Sequence, residues 1–263
     1  MNVEHDVVLS RFTTLGTGGP ANAFARPESI ADLGEALAFA HERGVPVATI
    51  GLGSNVLVAD EGFSGLVLKL GGDLARVEVQ GDRLIAGGGV WMNAGAYGRD
   101  WAGIVERALV VDCDGAEWRT ADDLGLRYRR SDLRHGQVVA KVEFLLERRP
   151  ADEIKAIVAD LQAQRKAAQP TNKRTYGSVF KNPEHELTAG RMLEACGLKG
   201  YRIGGARISP RHANFIENAD GARSSDAVAL MAEARRRAWE QFGVELEHEV
   251  VFLGPLELPA LSR

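Results

Sequence analysis

The spacing of apolar residues changes along this chain, and the change divides it. Between Pro27 and Gly44, Ile30, Leu33, Leu37 and Ala40 recur at helical spacing. Proline opens the run and glycine follows its end, so the stretch predicts a helix. A short strand over Val45 to Ile50 runs into the glycine turn "GLGSN", and "VLVADEGFSGLVLKL" after it reads as strand. A dinucleotide-binding Rossmann turn needs a third glycine and an immediate helix. Val56 stands at the third position and no helix follows, which excludes it. "RVEVQGDRLIAGGG" predicts a hairpin turning at Gln80-Gly81-Asp82. Strands are predicted over Ile104 to Asp112 and Val138 to Leu146, with the polar segment "RTADDLGLRYRRSDLRHG" between them.

From Pro150 the helical period dominates. Ile154, Ile157, Val158 and Leu161 carry a predicted helix from Ala151 to about Ala168, stopped at Gln169-Pro170. A short helix follows over about Thr188 to Cys196, with Thr188 as its cap and Gly197 past its end. Strands over Arg202 to Ile208 and Asn214 to Asn218 precede a long helix, Ser225 to Phe242. "VELEHEVVFLG" predicts a closing strand with Val244, Leu246, Val250 and Phe252 on one face and Glu245, Glu247 and Glu249 on the other. The switch sets an expected boundary between residues 1–149 and 150–263, both α+β.

Composition narrows the function class. With 32 basic and 36 acidic residues the net charge is −4, and no long run of one sign marks a nucleic-acid or membrane surface. Arg235-Arg236-Arg237 is short and helical, and reads as a solvated face. Cys113 and Cys196 are the only cysteines, too few for a disulfide framework. "MNVEHDVVLS" carries acids where a signal peptide carries positive charge, and no apolar run approaches membrane-spanning length. A soluble cytoplasmic protein is expected.

The six histidines form no ligand pair at helical spacing and there is no CxxC, so no metal is expected. P-loop and GxSxG signatures are absent. Glycine-bordered polar clusters remain. "TTLGTGGPA" (Thr13 to Ala21) and "GLGSN" (Gly51 to Asn55) are turns whose backbone N–H groups can bind anions, although an ordinary turn is the commoner case. "TYGSVFKNP" (Thr175 to Pro183) sets a serine on a constrained turn: Ser178 can donate a proton, and Lys181 and Asn182 can bind a polar substrate. "RYRRS" (Arg127 to Ser131) offers a guanidinium for a carboxylate. Spacing selects no one of the three C-terminal glutamates.

Taken together and in this order, "TTLGTGGPA", "GLGSNVLVADEGFSGLVL", "MNAGAYG", "RYRRSDL", "YGSVFKNP", "AGRMLEACGLKGYRIGGARISPRHANFIEN" and "VELEHEVVFLG" resemble the UDP-N-acetylenolpyruvoylglucosamine reductases. The resemblance runs nearly from end to end. It implies an α+β fold with an FAD-binding region of two subdomains, of the vanillyl-alcohol-oxidase type, over residues 1–149, the second of them truncated. A substrate-binding domain follows over 150–263. It implies FAD as cofactor, NADPH as co-substrate, a UDP-sugar substrate and a role in peptidoglycan precursor synthesis, with no nucleic acid, membrane or obligatory protein partner.

By motif, Ser178 is similar to the acid that protonates C2 of the enolpyruvyl group, and Arg129 and Glu249 to the pair that polarises the substrate carboxylate and stabilises the enolate. Flavin contacts are expected from Gly51, Gly53, Ser54, Asn55, Asn93, Gly95 and Ala96. Substrate contacts are expected from Tyr97, Lys181 and Asn182. The sequence departs from the family between Gly89 and Met92, where "GGG" passes through Val90-Trp91 straight into "MNAGAYG". The family has a few tens of residues there, a helix and a pyrophosphate-binding segment. The alternative reading is an impaired member that binds a UDP-sugar without FAD.

Overall fold

The computed structural model describes residues 2–87 and 92–261. The expected junction between Gly89 and Met92 falls on residues 88–91, outside the described residues. The architecture is α+β, in two compact units. One comprises residues 1–7, 21–51 and 64–149; the other comprises residues 8–20, 52–63 and 150–263. The chain therefore passes from one unit to the other at Arg149/Pro150, and two segments that precede residue 150 belong to the second unit.

In the first unit, helix α1 (Ile30–Glu42) starts three residues after the predicted opening at Pro27, because Ser29 and Asp32 form a reciprocal cap. It buries Leu33, Ala36, Leu37 and Ala40 in a cluster with Leu66, Leu68, Leu109 and Val111. An antiparallel sheet runs in the order Gly115–Thr120, Val105–Asp112, Val138–Leu145, Arg83–Gly87, Val77–Gln80. Alternation along Val105–Asp112 sends Leu109 and Val111 to the α1 cluster, and Ala108 and Val110 to a second cluster with Val142 and Phe144. The register shift between Leu109↔Lys141 and Val110↔Val139 reverses the alternation, so Ala140 faces one cluster and Val142 the other. Strand Gly115–Thr120, which the hydrophobic pattern does not predict, pairs with Val105–Asp112.

In the second unit, an antiparallel sheet runs Thr175–Ser178, Phe215–Asn218, Ala206–Ile208, Arg202–Ile203. Its partners are α3 (Ala189–Ala195), capped by Thr188, and α4 (Ser224–Phe242), which ends at left-handed Gly243. Ala227, Leu230, Met231, Ala234 and Ala238 of α4 share one cluster with Tyr176, Phe180, Met192 and Ile216. The predicted strand 202–208 is a hairpin broken at Gly204-Gly205. Of the predicted closing strand only Val251–Leu253 is regular, pairing in parallel with Val56–Val58.

Helix α2 (Ala151–Ala168) has its predicted span; it buries none of its residues, and Ile154, Ile157 and Val158 are exposed. One expectation is corrected. Arg235 is not on a solvated face: its buried guanidinium donates to the carbonyls of Leu246 and Pro259 and pairs with Glu245. Arg236 and Arg237 pair with Glu233 on α4 itself.

Candidate functional site

Three segments of the second unit meet through their backbones. The turn at Leu52–Asn55 is shaped by Gly53, whose φ is +66°. A Cβ there would lie 1.9 Å from the Phe12 carbonyl oxygen, so only glycine fits. The Gly53 carbonyl accepts from both the N–H (3.0 Å) and the hydroxyl (3.2 Å) of Thr14, whose hydroxyl also reaches the Thr175 carbonyl at 2.6 Å. This ties the turn to strand Thr175–Ser178. Asn55 joins it to the C-terminal segment: its amide donates to the Glu249 carbonyl at 3.2 Å, and its carbonyl accepts from Val251 N–H at 3.0 Å.

The two predicted anion-binding turns differ in their free donors. In "TTLGTGGPA" the N–H groups of Thr14, Gly16 and Gly19 are spent on Gly53, Thr13 and Ala59 carbonyls. In "GLGSN" the N–H groups of Leu52, Gly53 and Ser54 have no acceptor among the described residues. Consecutive unpaired backbone donors at a glycine turn fit the diphosphate of a dinucleotide such as FAD. A cleft of about 550 Å³ beside it is lined by Thr14, Ser54, Gly177, Arg165, Lys166 and Lys173, among others, with no carboxylate in its wall.

Ser178 ends its strand, half-buried, after Gly177 with φ +84°. Glu249 N–H donates to the Val179 carbonyl at 2.8 Å, and Lys181 N–H to the Glu247 carbonyl at 2.9 Å. Glu249 is thus paired with Val179, the residue after Ser178, across the antiparallel bridge at Phe180 and His248. The Lys181 ammonium is largely buried against Glu247 at 2.6 Å. Asn182 accepts from Ala189 N–H at the start of α3.

The remaining expected residues lie in the first unit. Gly95–Ala96 pairs with Arg99–Asp100 around Tyr97-Gly98, both left-handed, which makes the two-residue hairpin turn that favours glycine. Asn93, fully buried at φ +42°, donates to Asp100 and to the Arg127 carbonyl and accepts from Ala102 N–H. Arg129, also left-handed, donates to the Gly95 carbonyl at 2.8 Å and reaches that of Asn93 at 3.5 Å. Tyr97 is exposed, and Gly51 accepts from Lys69. Arg129 and "NAGAYG" therefore form one cluster, and Ser178, Glu249 and the "GLGSN" turn another.

Sequence reasoning missed Asn214. It is 4% exposed and bonds to Val179 and Phe180, directly after Ser178. The only signal is a lone polar residue inside the apolar run "ANFI".

Comparison with known proteins bears on both clusters. The family model "UDP-N-acetylenolpyruvoylglucosamine reductase, C-terminal domain" matches residues 169–253, and "FAD binding domain" matches residues 21–90. A UDP-N-acetylenolpyruvoylglucosamine reductase of Anaeromyxobacter dehalogenans is 38% identical over 293 residues, covering 98% of this chain and 88% of that protein. One from Bacillus licheniformis is 34% identical, covering 94% and 92%. The crystal structure of the UDP-N-acetylenolpyruvylglucosamine reductase of Thermus caldophilus matches with a TM-score of 0.82 at 32% identity, over 97% of this chain and all of that one. With this identity over almost its whole length and the same fold, the chain belongs to the UDP-N-acetylenolpyruvoylglucosamine reductase family.

Proposed function

We propose that this chain reduces the enolpyruvyl ether of UDP-N-acetylglucosamine to UDP-N-acetylmuramate for peptidoglycan precursor synthesis, with NADPH as reductant. The observation that carries the reading is identity to reductases of this name over nearly the full chain, together with the backbone bond that pairs Glu249 with Val179, the residue after Ser178. Nothing in the comparisons favours the impaired, flavin-free alternative.

A bound FAD would supply the hydride chemistry between NADPH and C3 of the enolpyruvyl group. Gly51, Gly53, Ser54 and Asn55 would hold it through the turn, and Asn93, Gly95 and Ala96 through the hairpin. Hydride at C3 leaves negative charge at C2 and on the carboxylate. Arg129 and Glu249 polarise that carboxylate and steady the enolate, and Ser178 delivers the proton to C2. Tyr97, Lys181 and Asn182 contact the sugar nucleotide, and the cationic cleft at Arg165, Lys166 and Lys173 suits nucleotide phosphates. The reaction needs no protein partner and belongs in the cytoplasm, where both nucleotides are available.

The test is direct. The purified chain is examined for flavin absorption, and NADPH oxidation is followed with and without the enolpyruvyl sugar nucleotide. Flavin absorption with substrate-dependent NADPH oxidation supports the reading; a colourless protein that binds only the UDP-sugar overturns it.

A further inference from the structure

The sheet ladder changes where Ser178 sits. Thr175 pairs with Glu217 and Ser178 with Phe215, so three steps on one strand face two on the other, and Ser178 lies at a bulge. The ladder ends at Ser178↔Phe215, and just beyond it Asn214, the residue before Phe215, takes the polar groups of the next two residues. Its carbonyl accepts from Val179 N–H at 2.9 Å, its side-chain oxygen accepts from Phe180 N–H at 3.0 Å, and its side-chain amide donates to the Phe180 carbonyl at 2.8 Å. One primary amide satisfies both polar groups of a single residue, and an ionised carboxylate cannot, because it has no donor.

The arrangement bears on Ser178 because Ser178 is the residue directly before Val179. The backbone there sets where the Ser178 Cα–Cβ bond points. That backbone is fixed before it by left-handed Gly177 and after it by Asn214, while Glu249 holds the Val179 carbonyl from the other side.

We propose that Asn214 is a positioning residue for the reaction: its amide fixes the Val179-Phe180 peptide so that the Ser178 hydroxyl is held toward the carbon to be protonated. The proposal rests on the reading of Ser178 as proton donor. It does not require Asn214 to touch substrate or cofactor.

The test uses the whole chain carrying FAD and separates the two half-reactions by stopped flow. In Asn214→Ala, flavin reduction by NADPH stays within about twofold of the parent. Reoxidation by the enolpyruvyl sugar nucleotide falls about 10²-fold, the usual consequence of misplacing a reacting group by about 1 Å, and KM for that substrate changes little. Amide exchange at Val179 and Phe180, measured without ligands, becomes faster. Equal loss in both half-reactions, or a parent-like reoxidation rate, overturns the proposal. If Asn214→Ala does not fold, Asn214→Asp is read in the same way, since it keeps the acceptor toward Phe180 N–H and loses the donor. A parent chain that holds FAD but is not reoxidised by the substrate overturns the proposed function itself; a competent parent with an indifferent Asn214 variant overturns only this inference.

Discussion

The backbone N–H of Glu249 donates to the carbonyl of Val179 at 2.8 Å, so that a carboxylate-bearing residue is held opposite the residue that follows Ser178. The bond is one of a pair, with Lys181 N–H on the Glu247 carbonyl, and neither depends on side-chain identity. Substitution at either functional side chain therefore leaves the scaffold standing. In Ser178→Ala we expect flavin reduction by NADPH to proceed at the parent rate and reoxidation by the enolpyruvyl substrate to fall by about 10²–10⁴-fold, the usual contribution of a positioned acid. Stopped-flow traces at the flavin absorption band measure both, and equal loss in the two would remove Ser178 from the protonation step.

Gly53→Ala addresses the other end of the same cluster. The new methyl would lie 1.9 Å from the Phe12 oxygen on a residue at φ +66°. Backbone strain of about 1–2 kcal/mol adds to that clash. The turn must open, and the unpaired N–H groups of Leu52 to Ser54 lose their common geometry. We expect FAD affinity to fall at least tenfold while far-ultraviolet circular dichroism is unchanged. Retention of flavin at the parent dissociation constant would show that the turn does not hold it.

The sequence made some of this legible and hid the rest for physical reasons. Helices α1 and α4 announce themselves because each buries a stripe at helical spacing. The hairpin at Gly81-Asp82 is equally plain, since strand period and turn residues agree. Strand Gly115–Thr120 carries no such stripe: all its residues but Arg119 are exposed, and it forms for its ladder with Val105–Asp112 rather than for burial. The apolar positions of α2 were visible but their environment was not, because periodicity reports a face and not what lies against it. In the site, glycine turns and "GSVFKNP" stood out by composition. Asn214 and Asp60 did not, because each acts on backbone far along the chain.

Tyr176 offers a test of the core beneath Ser178. It is fully buried, and its hydroxyl has no hydrogen-bond partner among the described residues. Burial alone pushes the phenol well above its ordinary range, so it stays neutral. An unsatisfied buried hydroxyl costs about 1–3 kcal/mol, and Phe has the same ring without it. Tyr176→Phe should therefore raise the urea midpoint, or at least leave it unchanged, and a loss of more than about 1 kcal/mol would show that the hydroxyl is bonded.

Asp60 predicts how stability depends on pH. Its carboxylate accepts from Ser224 N–H at 2.8 Å and Ser225 N–H at 3.0 Å, the first backbone donors of α4, from a position far back in the chain. Burial works against its ionisation, but those two N–H groups, the Ser225 hydroxyl and the Arg223 guanidinium outweigh it and hold the carboxyl below its ordinary value. The folded form thus titrates below the unfolded one, near 3.9 for a free Asp. The stabilisation is complete above the unfolded value and is lost as the pH falls through the folded one. We expect Asp60→Ala to cost about 1–2 kcal/mol at pH 7, as for loss of a helix cap, and the gap from the parent to close as the pH is lowered below about 4. Asp60→Asn, which keeps an acceptor but no charge, should lie between them at pH 7 with no titration of its own. Urea unfolding of the three proteins at pH 7 and at pH 3 measures this, and a pH-independent gap between parent and Asp60→Ala would mean that the carboxylate charge plays no part in capping α4.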